Sequence, residues 1–326
     1  MDKSLTEPQG RKHLIDLAPK PADFAAEVRA GLGAAPKQIA PKFFYDAKGS
    51  DLFDQICELP EYYPTRTELS LLRTVAPQIR ALAGPSATVI EFGAGGARKA
   101  KLLLDALDAP RRYAAIEISR AAIEATVDEL HTALPDLDLM GICADFMEPF
   151  SFDQSWLGSD RRLCFFPGST LGNFHRADAI AFLKNARAIA GPNGAMLLGV
   201  DLIKDRAVLN AAYNDQAGVT AAFNLNLLER MQRELGAGLE TGHFAHHAFF
   251  NEDDARIEMH LRATRPTEIR LGADRFGFAE GETIHTESSH KYTKAGIAEL
   301  AGEAGWTLHQ SWTDDKGWFA LNWLTP

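Results

Sequence analysis

The sequence predicts an α/β protein: a parallel sheet covered by helices on both faces, interrupted by an inserted α+β segment. Three observations predict it. Between residues 87 and 201 short apolar runs alternate with helical stretches. One of them, Val89-Ile90-Glu91-Phe92, runs into the glycine-rich turn Gly93-Ala94-Gly95-Gly96 and then into a helix. The alternation stops near residue 204 and returns near 292. Near-continuous apolar strands with helical connections imply a parallel sheet buried on both faces. We expect residues 66–203 and 292–326 to form the sheet domain, and 1–65 with 204–291 to form a second domain.

Taken in order, residues 1–20 read as a loosely held arm and 22–31 as a short helix ended by Gly31 and Gly33. Ser50 is a candidate N-cap for a helix over 51–58, with Asp51 and Asp54 in its first turn. Pro60-Glu61-Tyr62-Tyr63-Pro64 reads as a loop, and Thr65 or Thr67 starts the next helix. Strands are expected at 87–92, 112–118, 138–143, 162–167 and 195–201, with helices at 97–108, 119–133 and 176–190. Residues 205–235 read as two helices. Over 242–290 the pattern is that of strands, and Arg256-Ile257-Glu258-Met259-His260-Leu261-Arg262 alternates cleanly. A helix at 294–304 and two strands close the chain.

Composition narrows the classes. The chain has 326 residues, 46% of them hydrophobic and 24% charged, as expected of a globular protein long enough for a large core. The net charge of −10, without a Lys/Arg block, argues against a nucleic-acid footprint. Cys57, Cys143 and Cys164 show no pairing pattern, which fits a reducing cytoplasm. The sequence carries neither a secretory signal pattern nor a span-length apolar run, so no membrane association is expected. A monomer acting on a small molecule is expected.

The glycine turn places the ligand. Ligands of such sheets sit outside the carboxyl ends of the strands, here at Gly93, Glu117, Asp145, Gly168 and Asp201. A helix starting at a glycine turn aims free N–H groups at an anion. The dinucleotide fingerprint wants a third small residue where Arg98 stands. With Glu91 two residues before Gly93, the E-x-G-x-G form resembles the first motif of class I S-adenosylmethionine (SAM) methyltransferases. NAD binding or a purely structural turn stays open on the turn alone. His243, His246 and His247 form an H-x-x-H-H cluster, but alternation puts His246 on the other face and no third ligand follows, so no metal is expected. No G-x-S-x-G nucleophile motif occurs.

Several segments together resemble one family. They are Phe43-Phe44-Tyr45-Asp46-Ala47-Lys48-Gly49-Ser50, Leu59-Pro60-Glu61-Tyr62-Tyr63-Pro64-Thr65-Arg66-Thr67-Glu68, Gly168-Ser169-Thr170-Leu171-Gly172-Asn173, Gly199-Val200-Asp201-Leu202-Ile203-Lys204-Asp205, Ala217-Gly218-Val219-Thr220-Ala221-Ala222-Phe223-Asn224 and Thr286-Glu287-Ser288-Ser289. In order and spacing they are similar to the histidine Nα-methyltransferases of ergothioneine biosynthesis. The resemblance implies SAM as methyl donor and L-histidine as acceptor, methylated up to the trimethylated betaine, hercynine. It puts the cofactor contacts on Gly93, Lys99, Glu117, Asp145 and Phe146. It puts substrate contacts on Tyr62, Asn173, Tyr213, Glu287 and Ser289, with Tyr45, Gly168 and Met259 as wall residues, and makes Tyr45 and Asn173 the catalytic residues, Tyr45 within reach of the reacting amine.

The residue types agree with these roles. Glu117 suits ribose hydroxyls, Asp145 an adenine amino group, Phe146 an adenine face and Lys99 a carboxylate. Glu287 and Ser289, two apart on a strand, share a face and together suit the two imidazole nitrogens. Asn173 and Tyr213 offer neutral donors for the substrate carboxylate. Gly96-Ala97-Arg98 and Glu117 depart from the family's usual small polar residues and Asp. Other readings stay open at this point: another amino acid or amine as acceptor, a SAM-binding module without turnover, or a nicotinamide dehydrogenase.

Overall fold

The computed structural model describes residues 10–17, 23–147 and 152–326. Six strands lie parallel: β1 (Lys12–Asp16), β2 (Thr88–Phe92), β3 (Arg112–Glu117), β4 (Asp138–Cys143), β5 (Arg162–Phe166) and β6 (Ala195–Asp201). Their order is β1-β4-β3-β2-β5-β6. Every residue of β2 and of β6 is buried, as continuous apolar runs require. The helices that precede or connect them are α1 (Phe24–Gly33), α2 (Ala47–Glu58), α3 (Tyr63–Ala83), α4 (Ala97–Ala106), α5 (Arg120–Ala133) and α6 (Arg176–Ala190). Strand order reverses between β2 and β5, so the loops after these two strands diverge and open a crevice.

The inserted stretch carries α7 (Arg206–Tyr213), α8 (Val219–Leu235) and strands β7 (Phe244–Asn251), β8 (Arg256–Ala263), β9 (Thr267–Leu271), β10 (Asp274–Phe278) and β11 (Thr283–His290). β11, β8 and β7 form a three-stranded sheet, and β9 pairs with β10. The chain then returns through α9 (Lys294–Glu303) to the hairpin β12 (Thr307–Thr313) and β13 (Phe319–Thr325). β13 adds antiparallel to β6, completing an eight-stranded sheet of the class I methyltransferase type.

The apolar side chains divide into separate cores. One face of the large sheet is covered by α3, α4 and α5, the other by α6 and α9. A further core gathers Phe24, Phe44, Phe223, Leu227, Met231, Ile257, Met259 and Ile284, from the N-terminal helices and the insert. The insert leaves and re-enters the sheet side by side: Tyr292 N–H donates to the Asp201 carbonyl at 2.9 Å, and Ile203 N–H to the Tyr292 carbonyl at 3.0 Å. This crossing holds β11 close to the carboxyl end of β6.

Four expectations need correction. The helix expected from Thr65 or Thr67 begins at Tyr63, so Tyr63 and Pro64 open α3 instead of closing a loop. Lys12–Asp16 is not a loose arm but the edge strand of the large sheet, in register with Leu139–Cys143. That also takes it out of the N-terminal portion assigned with the insert; residues 1–9 and 18–20 of the arm lie outside the described residues. The helix expected from Ser50 begins earlier, capped by Asp46, whose carboxylate accepts the Gly49 N–H at 2.7 Å. Gly49 permits this because a Cβ there would sit 1.8 Å from the Phe44 carbonyl oxygen. Finally, α1 runs through Gly31 and ends at Gly33.

Candidate active site

The turn after β2 is shaped for a ligand. Gly93 adopts φ 72°, which glycine tolerates without strain, and its N–H donates to the Ile116 carbonyl at 2.9 Å. A Cβ on Gly95 or Gly96 would meet nothing within 4 Å, so the loop faces open space. No side chain caps the start of α4, which leaves its first N–H groups for an anion. Glu91 does not reach this space: it is buried and accepts from the Tyr113 hydroxyl at 2.6 Å, with burial raising its pKa to about 8.

Glu117 ends β3. Its Oε1 accepts the N–H groups of Ile118 and Ser119 at 2.8 and 3.1 Å, which fixes the carboxylate and, among the described residues, leaves Oε2 without a donor. Burial raises its pKa despite those bonds. Beyond β4, Asp145 accepts the Met147 N–H at 2.9 Å. The Phe146 ring packs edge-on to Phe92, Phe166 and Phe182, and lies 3.9 Å from where a Gly93 Cβ would be. Turn, acid and aromatic wall therefore border one crevice. A free carboxylate oxygen, an apolar ring face and an uncapped helix start fit the ribose, adenine and methionine carboxylate of SAM.

Lys99, in the first turn of α4, meets Glu68 of α3 at 2.6 Å. Glu68 is 1% exposed, and its two oxygens also accept the Gly168 N–H at 2.9 and 3.0 Å. One buried carboxylate thus ties the α4 end of the crevice to the loop after β5. Room for it comes from Gly199, where a Cβ would lie 2.2 Å from Glu68 Oε1. That loop turns through Gly168 and Ser169 at φ 78° and 58°, then makes the short turn Thr170–Asn173. His290, at the end of β11, bonds the Gly172 carbonyl through Nδ1 at 2.8 Å. Asn173 is therefore held beside β11, and among the described residues its amide has no hydrogen-bond partner.

On β11, a register shift between His285 and Glu287 takes Thr286 inward, where its hydroxyl lies 2.9 Å from Asn224 Oδ1 and 3.0 Å from the Met259 carbonyl. Past this bulge Glu287 and Ser289 share a face, with Met259 directly across from Glu287 on β8. Glu287 is buried, and among the described residues no donor lies within hydrogen-bond distance of its carboxylate. Burial raises its pKa to about 7, with Lys291 opposing. Ser289 Oγ lies 3.0 Å from the Tyr213 hydroxyl and 2.8 Å from Lys291 Nζ. Tyr213 thus stands at Ser289, on the side expected to grip a ring. Tyr62 packs edge-on to Tyr213 at 6.2 Å between ring centres. Tyr45 opens on the same cleft, 45% exposed; its depth among neighbouring groups pushes its pKa up, Glu287 adding most among the charges and Glu117 also contributing.

Sequence reasoning missed what holds these groups. Asp201, at the end of β6, takes the Tyr63 hydroxyl at 2.7 Å, Lys204 Nζ at 2.5 Å and Lys291 Nζ at 2.9 Å. Tyr63 is thus the core member of the Tyr62-Tyr63 pair. Asp201 and Lys204 lay in a quoted motif, but only the fold shows that they meet Lys291. The three histidines part company: His243 bonds Thr267, His246 bonds Asn224 and the Tyr213 carbonyl, and His247 packs on Phe249. Among the described residues no group of three or more His, Cys, Asp or Glu is arranged to hold a metal ion. No helix among them is long and apolar enough to cross a membrane.

A glycine turn at the switch point of this sheet, an acid at the end of the next strand and a bordering second cleft define an enzyme of the SAM-dependent methyltransferase class. The chain belongs to the family described as "Histidine-specific methyltransferase, SAM-dependent", whose profile matches residues 24–326. It is 43% identical over 311 residues to "Histidine N-alpha-methyltransferase" of Mycolicibacterium smegmatis, covering 92% of this chain and 96% of that one. It is 38% identical over 301 residues to the protein of the same name from Mycobacterium tuberculosis, covering 91% and 92%. To "Ergothioneine biosynthesis protein 1" of Neurospora crassa it is 31% identical over 293 residues, 85% of this chain and 32% of that longer protein.

Proposed function

We propose that the protein transfers methyl groups from SAM to the α-amine of L-histidine, up to the trimethylated betaine. One observation carries the choice of histidine: a buried carboxylate without a protein donor, Glu287, beside the hydroxyl of Ser289 on the same strand face. Once a ligand fills the cleft, an acceptor left without a partner is costly, and a ligand N–H removes the cost. An imidazole offers an N–H and a second nitrogen, the two kinds of partner that a carboxylate and a hydroxyl take. An apolar side chain would leave both groups unpaired, which is how a polar site rejects the wrong substrate.

In this reading Gly93, Lys99, Glu117, Asp145 and Phe146 hold the methyl donor, whose sulfonium is already an activated electrophile. The enzyme's work is then mainly orientation. With the ring held by Glu287 and Ser289, and the carboxylate directed by Asn173, the amine has one place left, in line with the methyl group. Such orientation supplies roughly 7–11 kcal/mol in favourable cases. The amine attacks in its neutral form, so the rate rises with pH through the amine pKa. Tyr45 keeps its proton across the working range, because its pKa is raised; it serves as a hydrogen-bond partner of the amine and not as its base. Tyr62 and Tyr213 wall the ring, and Met259 and Gly168 close the pocket. The sheet thus holds the donor and, through the loop after β5, the acceptor's carboxylate, while the insert holds the acceptor's ring.

The test is incubation with SAM and a mixture of the twenty amino acids, followed by mass spectrometry. We expect histidine alone to gain 14, 28 and 42 mass units, each methyl replacing a hydrogen, with matching S-adenosylhomocysteine. Turnover of another amino acid in preference to histidine, or none at all, overturns the proposal.

A further inference from the structure

Lys291 is not among the residues that the proposed reaction uses, yet its side chain is 1% exposed and lies directly behind the ring-reading pair. An ammonium has three N–H donors and no acceptor. Here three oxygens surround it: Asp201 Oδ2 at 2.9 Å, Ser289 Oγ at 2.8 Å and the Tyr213 hydroxyl at 3.2 Å. An ammonium only donates, so each of these partners accepts from it. The remaining contact, between Tyr213 and Ser289 at 3.0 Å, joins two hydroxyls. A phenol is the stronger donor and an alkyl hydroxyl the stronger acceptor, so Tyr213 donates. Both lone pairs of Ser289 are then filled, one by Lys291 and one by Tyr213. Its own hydrogen has to point away from them, into the cleft.

We propose that Lys291 is a positioning residue which fixes Ser289 as a hydrogen-bond donor, so that the site reads a neutral imidazole in one tautomer, its N–H on Glu287 and its lone pair on Ser289. This rests on histidine being the substrate. A protonated ring would bring a second N–H against the Ser289 O–H, donor against donor. Charge balance points the same way. Lys204 and Lys291 bring two positive charges to the buried set, and Asp201 and, once ionised to accept the ring N–H, Glu287 bring two negative ones. A neutral ring keeps the set balanced, whereas an imidazolium leaves one charge uncompensated. The other ionisable groups facing the ring, Tyr45 from the segment before α2, Tyr62 from before α3 and Tyr213 from α7, all have raised pKa values and stay neutral.

The first arm uses the wild-type protein with S-adenosylhomocysteine and ring-15N-labelled histidine at pH 6, where much of the free ligand is protonated. Nitrogen chemical shifts should show a bound ring with one N–H and one bare nitrogen; a doubly protonated bound ring overturns the proposal. In the second arm, dissociation constants are measured for histidine and for β-(1,2,4-triazol-3-yl)alanine, whose ring stays neutral. In the wild type the ratio of the two constants should rise about tenfold from pH 7.5 to pH 5.5, following the neutral fraction of a ring with pKa near 6.5. Lys291→Met should reduce that change to less than about threefold, because Ser289 regains the freedom to accept. S-adenosylhomocysteine binding reports whether the variant folds, and the first arm decides the matter if it does not. A folded variant with the wild-type pH dependence overturns the role of Lys291. Histidine failing to bind the wild type at any pH overturns the function itself, and this inference with it.

Discussion

Glu287→Gln should make the unliganded protein more stable and the enzyme worse. The carboxyl is buried, without a protein donor, and its pKa is raised by burial to about 7 against a usual value of 4.5. The folded state therefore holds the proton more tightly than the unfolded chain does, and ionisation counts against folding. Its sign follows: the penalty is small near pH 5, grows as pH rises from about 4.5 to about 7, and is constant above. A displacement of this size corresponds to roughly 3 kcal/mol at pH 8 and under about 1 kcal/mol at pH 5. Glutamine removes the titration, although its amide brings a donor that costs part of the gain. The pH-dependent difference between variant and wild type, about 2 kcal/mol between pH 5 and pH 8, is the clean signal. Denaturant unfolding at several pH values measures it. In parallel, loss of a charged acceptor for the ring N–H should weaken histidine binding by roughly 1.5–3 kcal/mol, or about 10- to 150-fold. A stability difference that does not vary with pH would refute the reasoning, since it would mean that the carboxylate is already solvated or paired.

Other perturbations test the frame around the cleft. Glu68→Ala removes the carboxylate that holds Lys99 and the Gly168 N–H; it should cost about 3 kcal/mol of stability and weaken SAM binding in calorimetry. Gly199→Ala should do similar damage, because the new Cβ would lie 2.2 Å from Glu68 Oε1. The double variant should then fall short of the sum of the two losses, and strict additivity would show that the sites are uncoupled. Tyr45→Phe keeps the edge-on packing against Phe53 and Phe223, so melting should be nearly unchanged. Its turnover should drop about tenfold, the worth of one hydrogen bond; an unchanged rate and pH profile would remove Tyr45 from the reaction. Thr286→Val, which loses the bond to Asn224 and loosens the bulge that aims Glu287, should raise the histidine KM more than it lowers kcat.

Much of the frame was legible in the chain because it is written in local chemistry. Strands β2 to β6 announce themselves as short apolar runs, and α6 begins and ends where a polar start and Gly191-Pro192 put it. The glycines at 93, 95 and 96 declare a turn that a close ligand can approach, and Glu287 and Ser289 share a face by strand alternation alone. The edge strand β1 escaped notice because Lys12–Asp16 is mostly exposed, with too little apolar pattern to separate it from an arm. The cap of α2 was misplaced because a serine and an aspartate compete four residues apart, and only the close approach of Phe44 to Gly49 decides between them. Beyond this, tertiary structure alone determined which groups meet. Glu68 joins Lys99 and Gly168 across 31 and 100 residues of chain, and Asp201 gathers Tyr63, Lys204 and Lys291 from three segments. Propensity and periodicity act over a few residues, so they set the elements. The direction of a buried hydrogen bond depends on partners that only the packed fold brings within 3 Å.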